Sequence, residues 1–142
     1  MSKPVLLCID DELDGLEVRK MVLESAGYSV FTAGSGKAGL EIFTSQRIDL
    51  VILDYAMPEM SGYEVAVEMR RINPEIPILM LSAYFPVPQE VLRVVDAYAT
   101  KGESPLQLFE EVGVLLKKAL RHKKEQGRMS LEPLATNREA RR

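Results

Sequence analysis

The chain predicts an α/β protein, a doubly wound parallel sheet of five strands alternating with five helices. Three observations lead there. Short apolar runs, above all Val5-Leu6-Leu7-Cys8-Ile9, Leu50-Val51-Ile52-Leu53 and Ile78-Leu79-Met80-Leu81, lack polar alternation, as suits strands covered on both faces. The segments between them carry apolar residues at helical spacing, the pattern of βαβ units with right-handed crossovers. Several runs end abruptly in polar or charged residues: Asp10-Asp11, Asp54, Ser82 and Lys101.

The first strand spans Pro4 to Ile9 and leads into Asp10-Asp11-Glu12. Leu13, Leu16, Val18, Met21, Val22, Leu23 and Ala26 then recur at helical spacing, and Gly27 stops that helix as a C′ residue would. Tyr28 to Ala33 forms the second strand. Ser35 can N-cap the second helix, which buries Ala38, Leu40, Ile42 and Phe43. Asp49 to Leu53 is the third strand and ends on Asp54. Ser61 or Gly62 opens a helix carrying Val65, Ala66, Met69 and Ile72, and Asn73-Pro74 ends it. The fourth strand runs from Ile76 to Leu81, with Pro77 near its start, where a missing N–H is tolerable. Past the proline-broken loop from Tyr84 to Pro88 come a short helix, Gln89 to Val95, and a brief fifth strand, Ala97 to Thr100. Ser104-Pro105 is a good Ncap–N1 pair for the last helix, expected to turn Leu106, Leu108, Phe109, Val112, Leu115, Leu116 and Leu120 inward.

At 142 residues the chain fits one domain with a real core. Residues 1–121 are expected to form that domain, and residues 122–142 a basic, flexible C-terminal tail. Cys8 is the only cysteine, which excludes a disulfide framework or zinc cluster and fits a reducing compartment. Within an apolar strand it is expected to be an inert core thiol. The apolar stretch after Lys3 is too short for a signal peptide or membrane span, so a cytoplasmic location is expected. Up to Leu116 there are 18 acidic and 9 basic residues; from Lys117 onward there are 3 acidic and 9 basic. The body is acidic and the tail basic.

The groups at the strand ends decide the chemistry. With strand order 2-1-3-4-5, the reversal lies between strands one and three, and Asp10, Asp11, Asp54, Ser82 and Lys101 converge beside it. Three carboxylates together repel one another unless a cation sits among them. An acidic all-oxygen site suits Mg²⁺. Metal, ammonium and hydroxyl donor together suit a phosphoryl group.

With these residues in place, the chain resembles the receiver domain of a two-component response regulator (the CheY-like family) from about Lys3 to about Leu120. The resemblance rests on Asp10-Asp11, on Asp54 within L-D-Y-A-M-P-E-M-S-G, on Ser82-Ala83, and on Tyr98 and Lys101 in Y-A-T-K. It implies a flavodoxin-like (βα)5 fold. It also implies that Asp54 is the phosphoacceptor, served by a sensor histidine kinase or a phosphotransfer protein. Asp11, Asp54 and the carbonyl of Ala56 would bind Mg²⁺, with Asp10 acting mainly through an ordered water. Lys101 and Ser82 would hold phosphoryl oxygens, and Tyr98 would fill the space that Ser82 leaves. The implied output is a switched protein-binding face built from the fourth helix, fifth strand and fifth helix, with homodimerisation left open. Such a protein is a signalling switch and not a turnover enzyme.

The family's proline after the lysine is replaced by Gly102, which does not carry over the family's cis peptide and could adopt a positive φ. Ala56, two residues after the acceptor, offers nothing to orient a hydrolytic water, and Tyr84, two after Ser82, is bulky. Both suggest slow loss of the phosphoryl group.

Blander readings exist for each signal. Asp10 and Asp11 could cap a helix, Ser82 could be a turn residue, Tyr98 a core aromatic, and His122 a solvated residue near a helix end. The alternative function is a receiver-like interaction module independent of phosphorylation. A phosphohydrolase would want a carboxylate where Ala56 stands, and a flavin site is opposed by Asp10-Asp11-Glu12. DNA binding is not expected from Lys117 to Lys124, because no aromatic residues interleave with the basic ones.

Overall fold

The computed structural model describes residues 3–83 and 86–140, with side chains described to residue 127. Five strands, β1 (Val5–Ile9), β2 (Ser29–Ala33), β3 (Leu50–Asp54), β4 (Ile78–Ser82) and β5 (Ala97–Thr100), form one parallel sheet in the order β2-β1-β3-β4-β5. The helices are α1 (Leu13–Ser25), α2 (Gly36–Ser45), α3 (Gly62–Ile72), α4 (Gln89–Leu92) and α5 (Pro105–Ala140). The chain steps outward from β1 to β2, then crosses back to β3 and continues through β4 to β5. Crossovers of one hand therefore lay helices on opposite faces of the sheet.

Strand side chains alternate between the two faces, and each face has its own core. Leu7, Ile9, Val51, Leu53, Ile78 and Met80 pack with Phe43 of α2, Val65, Ala66 and Met69 of α3, and Val91 of α4. Leu6, Cys8, Leu50, Ile52, Leu79 and Leu81 pack with Leu16 and Leu23 of α1 and Val112 and Leu115 of α5. This double coverage explains the unbroken apolar runs. Cys8 is fully buried, and burial pushes its thiol up to about 12, so it stays protonated as an inert core residue.

Local signals end the elements where expected. Gly27 adopts φ 97°, the left-handed conformation that closes α1. The Ser35 hydroxyl accepts from the Ala38 N–H at 3.1 Å. Ser61 and Glu64 form a reciprocal capping box that starts α3. Ser104 and Gln107 exchange 3.3 Å bonds at the start of α5.

Other expectations are corrected. Leu13, Val18 and Met21 of α1 are 61–68% exposed, so only Leu16 and Leu23 of that set are buried by the sheet. Leu106 and Leu120 of α5 point outward, and Ile72 at the end of α3 is partly exposed. The fourth helix is a single turn ending at Leu92, short of the expected Val95. Arg70 of α3 donates to the Val94 carbonyl at 2.9 Å and pairs with Asp96 at 2.9 Å, drawing the following segment into a turn. Gly102 does not take a positive φ; among the described glycines only Gly27 does. The backbone of α5 runs helically past Leu120 to Ala140, through the described part of residues 122–142, the stretch expected to form a basic, flexible tail. His122 lies within that helix and meets Glu75 at 3.0 Å. Tyr84 lies outside the described residues. Among the described residues no helix is long and apolar enough to cross a membrane.

The β3–α3 loop is drawn tight under the carboxyl end of β3. The Gly62 N–H donates to the Tyr55 carbonyl at 2.8 Å, and a Cβ on Gly62 would stand 2.2 Å from the Asp54 carbonyl oxygen and 2.9 Å from the Tyr55 Cα. Both obstacles are backbone, so neither can swing aside. Gly62→Ala is therefore expected to lower the unfolding free energy by about 3 kcal/mol. Urea denaturation checks this, and a loss under about 0.5 kcal/mol would show that the loop yields freely.

Candidate acidic site at the sheet's carboxyl edge

The sheet delivers the strand-end residues to one place. β1 and β3 are neighbours, so Asp10, Asp11 and Asp54 emerge on the same edge at the strand reversal. Carboxylate oxygens of Asp10, Asp11 and Asp54 lie within 4.8 Å of one another. Asp10 and Asp54 are 1% and 3% exposed, whereas Asp11 faces solvent. β5 brings Lys101 from the other side of β4. Its Nζ stands 3.0 Å from Asp10 Oδ2, 3.2 Å from Asp54 Oδ2 and 3.2 Å from Glu12 Oε1. Ser82 ends β4 beside Thr100, 2% exposed, and its carbonyl accepts from the Lys101 N–H at 3.0 Å. Tyr98 is half-buried against the core below this edge. Ala56 lies in the exposed loop after β3.

Four of the expected groups thus meet: Asp10, Asp11, Asp54 and Lys101. Ser82 and Tyr98 reach the neighbouring strand end and core. Helix capping does not displace this arrangement. Asp10 Oδ1 does accept from the Glu12 N–H at 2.9 Å, the bond that turns the chain into α1, yet its other oxygen stays on Lys101. Two participants escaped sequence reasoning. Glu12 supplies a further carboxylate to Lys101. Arg19 reaches back from α1 to Asp10 Oδ2 at 3.3 Å. A signal for Arg19 was present, because a cation three residues after Leu16 and four before Leu23 sits on the inward stripe of α1.

The electrostatics separate the two buried acids. Burial works to raise Asp10, but the Glu12 N–H, Lys101 and Arg19 together hold its carboxyl below the ordinary range. Asp54 is pushed up to about 7, first by burial and then by the charge of Asp10, against the pull of Lys101. Burial would lower Lys101, but Asp10, Asp54 and Glu12 outweigh it and raise its pKa. Asp54 Oδ2 is buried and has no well-directed hydrogen bond, although the Lys101 ammonium is close. A buried carboxylate oxygen with spare lone pairs, aimed among other carboxylates, fits a hard divalent cation with oxygen ligands.

The comparisons with known proteins agree with this fold. The family described as Response regulator receiver domain matches residues 6–111. The chain belongs to that family: it is a receiver domain of the two-component response regulators. Among curated relatives it is 39% identical over 116 residues to a probable transcriptional regulator, ycf27, of Cyanidium caldarium, covering 80% of this chain and 46% of that protein. It is 36% identical over 124 residues to the probable transcriptional regulatory protein TcrX of Mycobacterium tuberculosis, covering 84% and 51%. The chain therefore spans about half the length of these relatives. Among solved structures, a CheY-like receiver domain protein of Methanospirillum hungatei superposes with a TM-score of 0.82 at 26% identity, covering 85% of this chain and 99% of that one. The response regulator TrrA of Thermotoga maritima, solved in complex with Mg²⁺-BeF, gives 0.75 at 36% identity, covering 79% and 98%.

The raised pKa of Asp54 has a consequence for stability. An acid whose folded pKa exceeds its unfolded value costs stability when ionised. That cost is absent below about pH 4, grows between about pH 4 and 7, and is complete above. In divalent-free buffer, Asp54→Asn is expected to raise the unfolding free energy by roughly 1–3 kcal/mol at pH 8, with the gain fading toward pH 4. Denaturant melts at both pH values check this; an equal gain at both would contradict it.

Proposed function

We propose that the chain is a phosphorylation-dependent signalling switch acting in the cytoplasm, in which Asp54 accepts a phosphoryl group from a phosphohistidine of a sensor histidine kinase or phosphotransfer protein. The observation that carries this reading is the buried Asp54 carboxylate, facing Lys101 at 3.2 Å and the Asp10 and Asp11 oxygens within 4.8 Å. A carboxylate is a modest nucleophile, so reaction depends on gathering the charge of the transferring oxygens. Asp11, Asp54 and the Ala56 carbonyl would hold Mg²⁺, with Asp10 contributing through water, and the ion would supply charge neutralisation at those oxygens. Lys101 turns from the carboxylates to one phosphoryl oxygen, and the Ser82 hydroxyl donates to another. Tyr98 follows into the space vacated.

The product adds about 1.5 to 2 negative charges at Asp54 and three acceptor oxygens. The rearrangement of Ser82 and Tyr98 passes that change to the face formed by α4, β5 and α5, which we take as the docking surface for a downstream protein. The output of the receiver is then this contact. Turnover is not its role; it is a switch that is loaded and reset. Ala56 presents no side chain able to orient an attacking water, which supports a persistent phosphorylated state.

Incubation with a small phosphodonor and Mg²⁺, followed by intact mass measurement, is expected to add one phosphoryl group to the wild type and none to Asp54→Ala. No adduct while Mg²⁺ binds would favour an interaction module that works without phosphorylation. The adduct is expected to survive for minutes or longer after donor removal; decay within seconds would overturn the persistence.

A further inference from the structure

One cation reaches the acidic cluster from outside the set that the strand ends supply. α1 buries Leu16 and Leu23 against the sheet. Arg19 occupies the same inward stripe, where an amphipathic helix ordinarily places an apolar side chain. Its side chain is only 13% exposed, and its Nη1 stands 3.3 Å from Asp10 Oδ2, the oxygen that Lys101 Nζ meets at 3.0 Å. A guanidinium drawn this far from water is costly unless paired. The partner here is the most buried carboxylate of the site.

We infer that Arg19 is a resident counter-cation of the acidic site, a positioning residue that holds Asp10 in place and weakens the site's grip on a divalent ion. The inference rests on the reading of this site as an Mg²⁺-assisted phosphoacceptor. Asp10 is already served by two fixed cations and by the Glu12 N–H, so its charge is largely neutralised before any ion arrives. The positive charge of the guanidinium opposes an incoming dication. Its second effect appears once Asp54 is loaded. Lys101 must then leave Asp10 for a phosphoryl oxygen, and a buried carboxylate stripped of its partner is strongly disfavoured. Arg19 remains on Asp10 and frees Lys101 to move. The metal is then held weakly by the resting protein and firmly only when the phosphoryl group adds its own negative charge.

The test is calorimetric titration of Mg²⁺ into the full chain without phosphodonor, comparing wild type, Arg19→Met, Arg19→Gln and Arg19→Lys. Removing a unit charge this close to the site is expected to tighten Mg²⁺ binding on the order of tenfold in Arg19→Met. Arg19→Gln, neutral but polar, is expected to shift in the same direction and guards against a packing artefact in the Met variant. Arg19→Lys keeps the charge and is expected to stay within about threefold of wild type, half a decade of affinity. Unchanged or weaker binding in both neutral variants would overturn the role of Arg19. Equal tightening in Arg19→Lys would do the same, since charge would not be the cause. A wild type that binds no Mg²⁺ would instead overturn the underlying reading of the site.

Discussion

The structure depends on one ammonium group shared among three carboxylates. Lys101 meets Asp10, Asp54 and Glu12 within 3.2 Å, and two of those acids are almost wholly removed from water. Two carboxylates buried side by side repel each other, and a single lysine offsets that repulsion only in part. The residual imbalance falls on Asp54, whose pKa rises while that of Asp10 falls. Asp54 is therefore the buried acid of this cluster least satisfied by the protein itself, with an oxygen left for something arriving from solvent. Stability has been conceded at the point where chemistry is expected.

The fold maintains that imbalance. β1 and β3 lie side by side and fix Asp10 and Asp54 at adjacent strand ends, while β4 separates them from β5 and sets the reach of Lys101. The loop after Asp54 is pinned by the Gly62 N–H on the Tyr55 carbonyl, at a spacing only glycine permits. On the far side, Arg70 ties α3 to the Val94 carbonyl and to Asp96, whose Oδ2 also accepts from the Ile78 N–H at 2.8 Å. The segment leading into β5 is thereby fastened to the start of β4. The site thus sits among fixed strand ends, next to a face whose fourth helix is a single turn. That division suits a local charge event read out at a distance.

Much of the fold was legible in the residues because the three central strands obey one rule. Leu50 to Leu53 and Ile78 to Leu81 are apolar at every position, which only burial on both faces explains, and three such strands with two edge strands and helices between them leave few topologies. The caps were equally legible: Ser35, Ser61, Ser104 and Gly27 act through neighbours within a few residues. Burial on the helices was less so. Leu106, Leu120, Val18 and Met21 have helical spacing yet face outward, because α1 and α5 each bury a narrow stripe and the chain carries more apolar residues than that stripe holds. The single turn of α4 was hidden as well, since the segment just beyond it is held at Val94 and Asp96 by Arg70 of α3, on the other side of β4 in sequence.

The candidate site divides in the same way. Residue types and their order along the chain determined that acids, a hydroxyl and an amine would gather at one edge of a parallel sheet, because strand direction and alternating topology put every strand's end on that edge. Only the tertiary structure decided how they share charge: that Lys101 spans Asp10, Asp54 and Glu12, that Asp54 and not Asp10 is the unsatisfied acid, and that Arg19 joins them from a helix. Local patterns are carried by a few residues of sequence, whereas Coulomb energy depends on separations of a few ångströms between atoms up to ninety-one residues apart.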